Sequence, residues 1–152
     1  MNKFKMLILL TVSVLLTGCG LKEKEPIDDE IFNKIMTNEG FKVVDVEQQF
    51  EQYGYFEDSY VATNNNYQIE FYELENDRYA IEFYNTNKNI FENQKGGTYV
   101  DSHIDLDKVN KYTLTTDKEY KVISRIEDTV VYLNVDKKYK EEVNNILGKL
   151  GY

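Results

Sequence analysis

Two single residues limit the chemistry open to this chain. Its 152 residues hold one histidine, His103, and one cysteine, Cys19. Proton transfer and nucleophilic attack need groups of matched pKa held within reach of one another. No Cys–His pair, Ser–His–Asp triad or HExxH helix can be read around so small a set, and there is no phosphate-cradling glycine loop. Asp and Glu together number 27, so a paired-acid glycosidase site has its raw material. It would need two carboxylates facing each other across a cleft, which a domain this small rarely offers. No catalytic residue is assigned, and a protein that is not an enzyme is expected.

His103 lies in the one local cluster with ligand-like spacing, Asp101-Ser102-His103-Ile104-Asp105-Leu106-Asp107. In an extended segment Asp101, His103, Asp105 and Asp107 project to one side. Carboxylate and imidazole donors in such a row suit a divalent cation. The calcium-loop pattern is not met: counted from Asp101, Leu106 stands where the turn glycine belongs and Tyr112 where the closing glutamate belongs. A solvated acidic loop accounts for the same residues and is the better-supported reading, so no cofactor is expected. A second candidate is the patch Tyr53, Tyr55, Phe56 and Tyr60 beside Gly54, which could stack on sugars or grip a peptide. Aromatic residues beside a strand more often serve as core or edge cover. Arg78 and Arg125 each have many carboxylates to pair with, and surface pairs of that kind contribute little.

The elements that position these residues begin with a leader. Lys3 and Lys5 precede an apolar run from Met6 to Leu16, which is shorter than the ~20 residues needed to span a bilayer. The run ends in Leu16-Thr17-Gly18-Cys19. This tetrapeptide resembles the lipobox of bacterial lipoproteins, a likeness confined to the first 20 or so residues. The resemblance implies cleavage before Cys19 and a diacylglyceryl group on its thiol, a covalent lipid that holds the protein to the membrane. The expected organisation is a signal peptide over 1–18, the lipidated cysteine and a tether over 19–26, and one extracytoplasmic domain over 27–152. A single cysteine leaves no intramolecular disulfide. Because the leader carries two lysines and no acid, the mature part is more negative than the −9 of the whole chain. Nucleic acid is therefore a poor partner, and anionic head groups would repel the body of the domain. Thirteen Tyr and eight Phe stand against no Trp. Together with abundant Asn, Lys and Ile they read largely as the codon bias of a low-GC Gram-positive bacterium.

Apolar residues at Ile27, Ile31 and Ile35, with Phe32 and Met36 beside them, predict a first helix. Asp28, Asp29 and Glu30 suit its positive end, and Gly40 suits its close. Residues 41–46 read as a strand and 47–53 as a short helical turn. The stretch 59–74 reads as a hairpin about Asn64-Asn65-Asn66, whose asparagines tolerate positive φ. A helix is predicted over 77–93, with Ile81, Tyr84, Lys88 and Phe91 near one stripe and Ala80 alongside. Residues 98–109 show no regular pattern. Strands follow at 111–116, 119–126 and 129–135. A last helix carries Tyr139, Val143, Ile146, Leu147 and Leu150 on one face, with Asp136 as its cap. Tyr60 and Thr63 before Tyr67 are faintly echoed by Tyr112 and Thr115 before Tyr120, which raises the option of two strand-turn-strand-helix halves. The fold class expected is α+β, an antiparallel sheet of about five or six strands with helices packed on one face.

The C-terminal pattern, a strand ending Asn134-Val135-Asp136, an amphipathic helix and then Leu150-Gly151-Tyr152, resembles small clostridial lipoproteins of no known activity. That likeness implies a compartment and no mechanism. The leading expectation is a lipid-anchored, non-catalytic domain on the outer face of the cytoplasmic membrane, with a membrane or cell-wall protein as partner. The alternatives are a small-ligand or divalent-metal-binding accessory lipoprotein and, behind it, a cell-wall hydrolase. An exposed sheet edge would favour protein contact, and a tyrosine-lined pocket would favour a small ligand. A two-lobed transporter-type binding protein needs a longer chain.

Overall fold

The computed structural model describes residues 24–152. Leu16, Thr17, Gly18 and Cys19 lie outside the described residues. Helix α1 spans Asp29–Asn38. The Asp28 carboxylate accepts the Ile31 N–H at 2.8 Å, satisfying one of the amides that a helix start leaves unpaired. One turn apart, Phe32 and Met36 are fully buried. The strands are β1 (Lys42–Asp45), β2 (Phe56–Thr63), β3 (Gln68–Leu74), β4 (Val100–Asp105), β5 (Val109–Thr115), β6 (Glu119–Ile126) and β7 (Thr129–Asp136). Helix α2 covers Asp77–Asn93 and α3 covers Lys140–Leu150. Among the described residues no helix is long and apolar enough to cross a membrane.

Every strand pairing is antiparallel, in the order β1-β2-β3-β7-β6-β5-β4. The chain leaves the middle of the sheet after β3, crosses it as α2, and re-enters at the far edge as β4. It then folds back strand by strand until β7 meets β3. Local chemistry sets the turns. The β2–β3 loop does not use positive φ: the Asn64 side chain accepts the N–H groups of Asn66 (2.8 Å) and Tyr67 (2.9 Å), imitating a backbone turn. The β6–β7 turn does use it, with Glu127 at φ 51.

The helices lie on both faces of the sheet, which corrects the one-sided arrangement expected from sequence. Ile69, Phe71, Val122, Val131, Leu133 and Val135 pack with α1 and α3. Tyr72, Leu74, Ile123 and Val130, their neighbours in the same strands, pack with Ala80, Tyr84 and Phe91 of α2. A central strand covered on both sides reads as a continuous apolar run rather than an alternation, and Val130-Val131-Tyr132-Leu133 is such a run. Each of these buried side chains contributes about 1.5–3 kcal/mol relative to exposure, so burial on two faces is what the apolar run secures. On α2 the inward stripe holds Ala80 rather than Ile81, which is 38% exposed.

The sheet has seven strands where five or six were expected. The added one is β4, whose residues are all exposed, so no burial pattern marks it in the sequence. The option of two similar halves also fails. A two-fold axis that exchanged β3 with antiparallel β7 would keep the faces of the sheet unchanged and set α2 and α3 on one side. They lie on opposite sides, and so do Tyr60 and Tyr112, the residues of the echo. Three strands precede α2 and four lie between α2 and α3, where two similar halves would have two before each.

One buried cation ties the β6–β7 turn to the loop before β5. Arg125 is fully buried. It donates to Asn110 Oδ1 (2.6 Å), the Asp107 carbonyl (2.6 Å) and the Glu127 carbonyl (2.7 Å). Burial pushes its pKa down, and the nearby Asp77 and Asp107 charges oppose that shift.

Candidate functional site

The aromatic patch develops into a cleft on the α2 face of the sheet. After β1 the chain makes two 3-10 turns, Glu47–Gln49 and Glu51–Tyr53. The first is fastened to β2 by the Val46 N–H on the Ser59 carbonyl at 2.9 Å. Gly54 then turns the chain at φ 68, a conformation that side-chain-bearing residues rarely adopt. The reversal lets Tyr53 and Tyr55 flank it as one wall. Tyr55 is held in turn by its carbonyl, which accepts the Glu75 N–H at 3.0 Å.

The opposite wall is α2. Tyr79, Glu82, Phe83, Thr86 and Asn87 recur at helical spacing on the flank beside the buried stripe. Tyr55 and Tyr79 stack on each other where the two walls meet, with centroids 4.9 Å apart and planes 13° apart. Phe83 meets Phe56 edge-on at 5.5 Å and 90°, and both pack on buried Tyr72. Phe50 closes the floor against Phe56 at 4.7 Å and Tyr72 at 5.4 Å. Tilted and edge-to-face pairs of this kind contribute about 0.5–1.5 kcal/mol each beyond their area, so the walls are held before any ligand arrives. Tyr72 donates its hydroxyl to Glu70 at 2.5 Å. Burial and the Glu70 charge push the Tyr72 pKa far up.

The cleft encloses about 390 Å³ and is open on one side, within the range of small-molecule sites. Tyr53 at its lip is 52% exposed. Its polar lining is Glu82, Thr86 and Asn87 with the hydroxyl-bearing rings of Tyr53, Tyr55 and Tyr79, and no Lys or Arg is among the described lining residues. Thr86 Oγ1 donates to the Glu82 carbonyl (2.8 Å) and Asn87 Nδ2 to the Phe83 carbonyl (2.9 Å). Glu82 bonds Arg78 through Oε1 at 3.2 Å, in a pair whose side chains are 81% and 59% exposed. Among the described residues it is the one carboxylate lining the cleft, whereas hydrolysis by paired acids needs two.

Of the four aromatic residues singled out in the sequence, Tyr53, Tyr55 and Phe56 line the cleft and Tyr60 does not. Tyr60 faces α1, donating to Asp29 at 3.3 Å. Burial and the Asp58 and Asp29 charges push its pKa up to about 12. The reason is a bulge between Phe56 and Asp58, which inverts the alternation of the strand. Phe50, Tyr72, Tyr79 and Phe83 escaped the sequence reading. The spacing of Tyr79, Phe83 and Asn87 was the available signal, a second stripe beside the core one.

The acidic row takes the extended form proposed for it but is occupied with other work. Asp101, His103 and Asp105 project together from β4, in register with Leu114, Tyr112 and Asn110. Asp107 follows the strand end. Asp101 Oδ2 accepts from Lys95 Nζ at 2.5 Å and from the Tyr112 hydroxyl at 3.1 Å. The Lys95 bond, the largest influence, holds the Asp101 carboxyl below its usual range. Asp105 accepts from Asn110 Nδ2 at 2.5 Å. Among the described residues no three His, Cys, Asp or Glu side chains converge as a metal-binding group.

No family model, no curated protein and no solved structure matches this chain.

Proposed function

We propose that this chain is a lipid-anchored extracytoplasmic domain that binds rather than catalyses, and that its ligand occupies the aromatic cleft. One observation carries the reading: rings from two distant segments, Tyr53 and Tyr55 on one side and Tyr79 and Phe83 on the other, wall a cleft that stays open to solvent. A fold that only needed to bury these rings would have closed over them. In this reading Leu16-Thr17-Gly18-Cys19 supplies the anchor, with a diacylglyceryl group on Cys19 fixing the domain to the outer face of the membrane.

A second reading, contact with a protein partner, is favoured by β4. It is an edge strand whose outer backbone groups are unpaired in the sheet. Val100, Ile104 and the following Leu106 are 69%, 47% and 62% exposed. Edge strands of this kind are templates for pairing with another chain.

A photo-cross-linking residue in place of Tyr53 or of Ile104, in the full chain in intact cells, separates the two readings. The cleft reading expects a discrete adduct from position 53, lost when Tyr79→Ala and Phe83→Ala are added. Adducts from position 104 alone would move the site to the β4 edge. Cys19→Ala should release the protein from the membrane fraction, and retention there would overturn the anchor.

A further inference from the structure

The polar groups of the cleft have a common character that points to one class of ligand. Thr86 and Asn87 spend hydrogens on the carbonyls of their own helix, Glu82 O and Phe83 O. Thr86 is left with oxygen lone pairs and Asn87 with its amide oxygen and one N–H, and Glu82 adds a carboxylate with Oε2 outside its bond to Arg78. The remaining lining is the faces and edges of Tyr and Phe rings. Such a site offers π faces and acceptors, donates through the tyrosine hydroxyls and one Asn87 N–H, and holds no Lys or Arg among its described lining residues. An anion would find no lysine or arginine among the described lining residues to pair with.

A cation with an apolar skin fits each of these features. Ring faces attract positive charge within about 6 Å of the centroid, and methyl groups bury well against aromatic walls. Glu82 supplies opposite charge at the rim. The exposed Arg78–Glu82 pair is of the kind that contributes little, so a ligand cation can compete for the carboxylate. The surroundings reinforce the sign. The chain as a whole carries −9.

We infer that the cleft binds a small organic cation of the alkylated-ammonium type, its methyl groups against Tyr53, Tyr55, Tyr79 and Phe83 and its charge shared between those rings and Glu82. The inference rests on the reading of the cleft as the ligand site and narrows it to one chemistry. The test is titration of the full chain in detergent, with tyrosine rings isotopically labelled for NMR. The probes are choline, its neutral isostere 3,3-dimethylbutanol, and N-acetylglucosamine. Choline should shift the ring signals of Tyr53, Tyr55 and Tyr79 and bind at least about tenfold tighter than the isostere, as several cation–π contacts together would require. Glu82→Gln should weaken choline several-fold and leave the isostere unchanged. Tyr53→Ala, at a position 52% exposed, should weaken both, with the thermal midpoint read in parallel to separate binding from stability. Equal binding of choline and its isostere, or shifts with the sugar alone, would overturn the cation while leaving the cleft as the site. No shift with any probe would overturn the cation as well. The adduct from position 53 would then decide the cleft by itself.

Discussion

Replacing Arg125 by Ala should be among the most damaging single changes in this domain. The side chain is fully buried and makes three short bonds, to Asn110 Oδ1, Asp107 O and Glu127 O, at 2.6–2.7 Å. Hydrogen bonds to a charged group contribute about 1.5–3 kcal/mol each. Against them stands the cost of burying the guanidinium, which the mutation removes, so the three do not simply add. What the truncation leaves is one buried acceptor, Asn110 Oδ1, and two part-buried carbonyls without a donor, with a void where the side chain lay. A net loss of about 3–5 kcal/mol is expected from the unmet acceptors and the void together, against a total of about 5–15 kcal/mol for a domain. The assay is urea unfolding followed by far-ultraviolet circular dichroism, with Arg125→Met in parallel. Methionine fills the void but satisfies no acceptor, so Arg125→Met should recover only part of the loss. A loss below about 1 kcal/mol for Arg125→Ala, or full recovery with Met, would refute the view that the guanidinium stabilises by holding those carbonyls.

Three further outcomes follow from the same geometry. Ser59 is fully buried and its hydroxyl has no hydrogen-bond partner. Ser59→Ala should therefore raise the urea midpoint, with a gain of up to about 1 kcal/mol; an equal loss would show that the hydroxyl is paired. Tyr60 and Tyr84 have pKa values pushed up to about 12, each led by burial. Folding favours their neutral form, so their share of stability is complete below pH 10 and lost as pH rises through about 12. Ultraviolet titration should show these phenols ionising together with unfolding, and ionisation at the free-tyrosine pH in a folded protein would contradict it. Glu73 has a raised pKa, led by burial and then by the Asp128 and Asp58 charges. Its stabilising share is complete below the unfolded pKa and lost as pH rises through the higher folded one. Glu73→Gln should accordingly stabilise the protein at pH 7 and flatten that part of the pH profile, as read by thermal midpoints between pH 4 and 7.

The sequence was informative where a residue's neighbours along the chain decide its state. Caps and period set the helices: Asp28 bonds Ile31 N–H, and α2 runs over the 77–93 that its pattern indicates. The hairpins about Asn64 and Asp117 are likewise local. Features decided by distant packing were not legible. Covering both faces of β3, β6 and β7 required knowing that α2 crosses the sheet, although the run from Val130 to Leu133 carried the hint. Strand β4 buries nothing, so its hydrogen bonds to β5 leave no mark in composition. The cleft was half visible: Tyr53, Tyr55 and Phe56 are neighbours in sequence, while Tyr79 and Phe83 reach them only when α2 docks. Tyr60 was misplaced because a bulge one turn of the pleat earlier reverses its face.

The proposed ligand in the aromatic cleft, and the proposed placement of the domain outside the membrane, can be read in one experiment. Footprinting with a membrane-impermeant tyrosine reagent tests both most directly. Tyr53 in the cleft and Tyr99 beside β4 are similarly exposed, at 52% and 44%, so each serves as control for the other. Intact cells would be compared with purified, ligand-free full-length protein by mass spectrometry of the modified residues. Tyr99 should react equally in both, and Tyr53 should be protected in cells. Tyr53 reacting equally in both while Tyr99 is protected would put the interaction at the sheet edge. Neither residue reacting until the cells are lysed would contradict the extracytoplasmic placement itself.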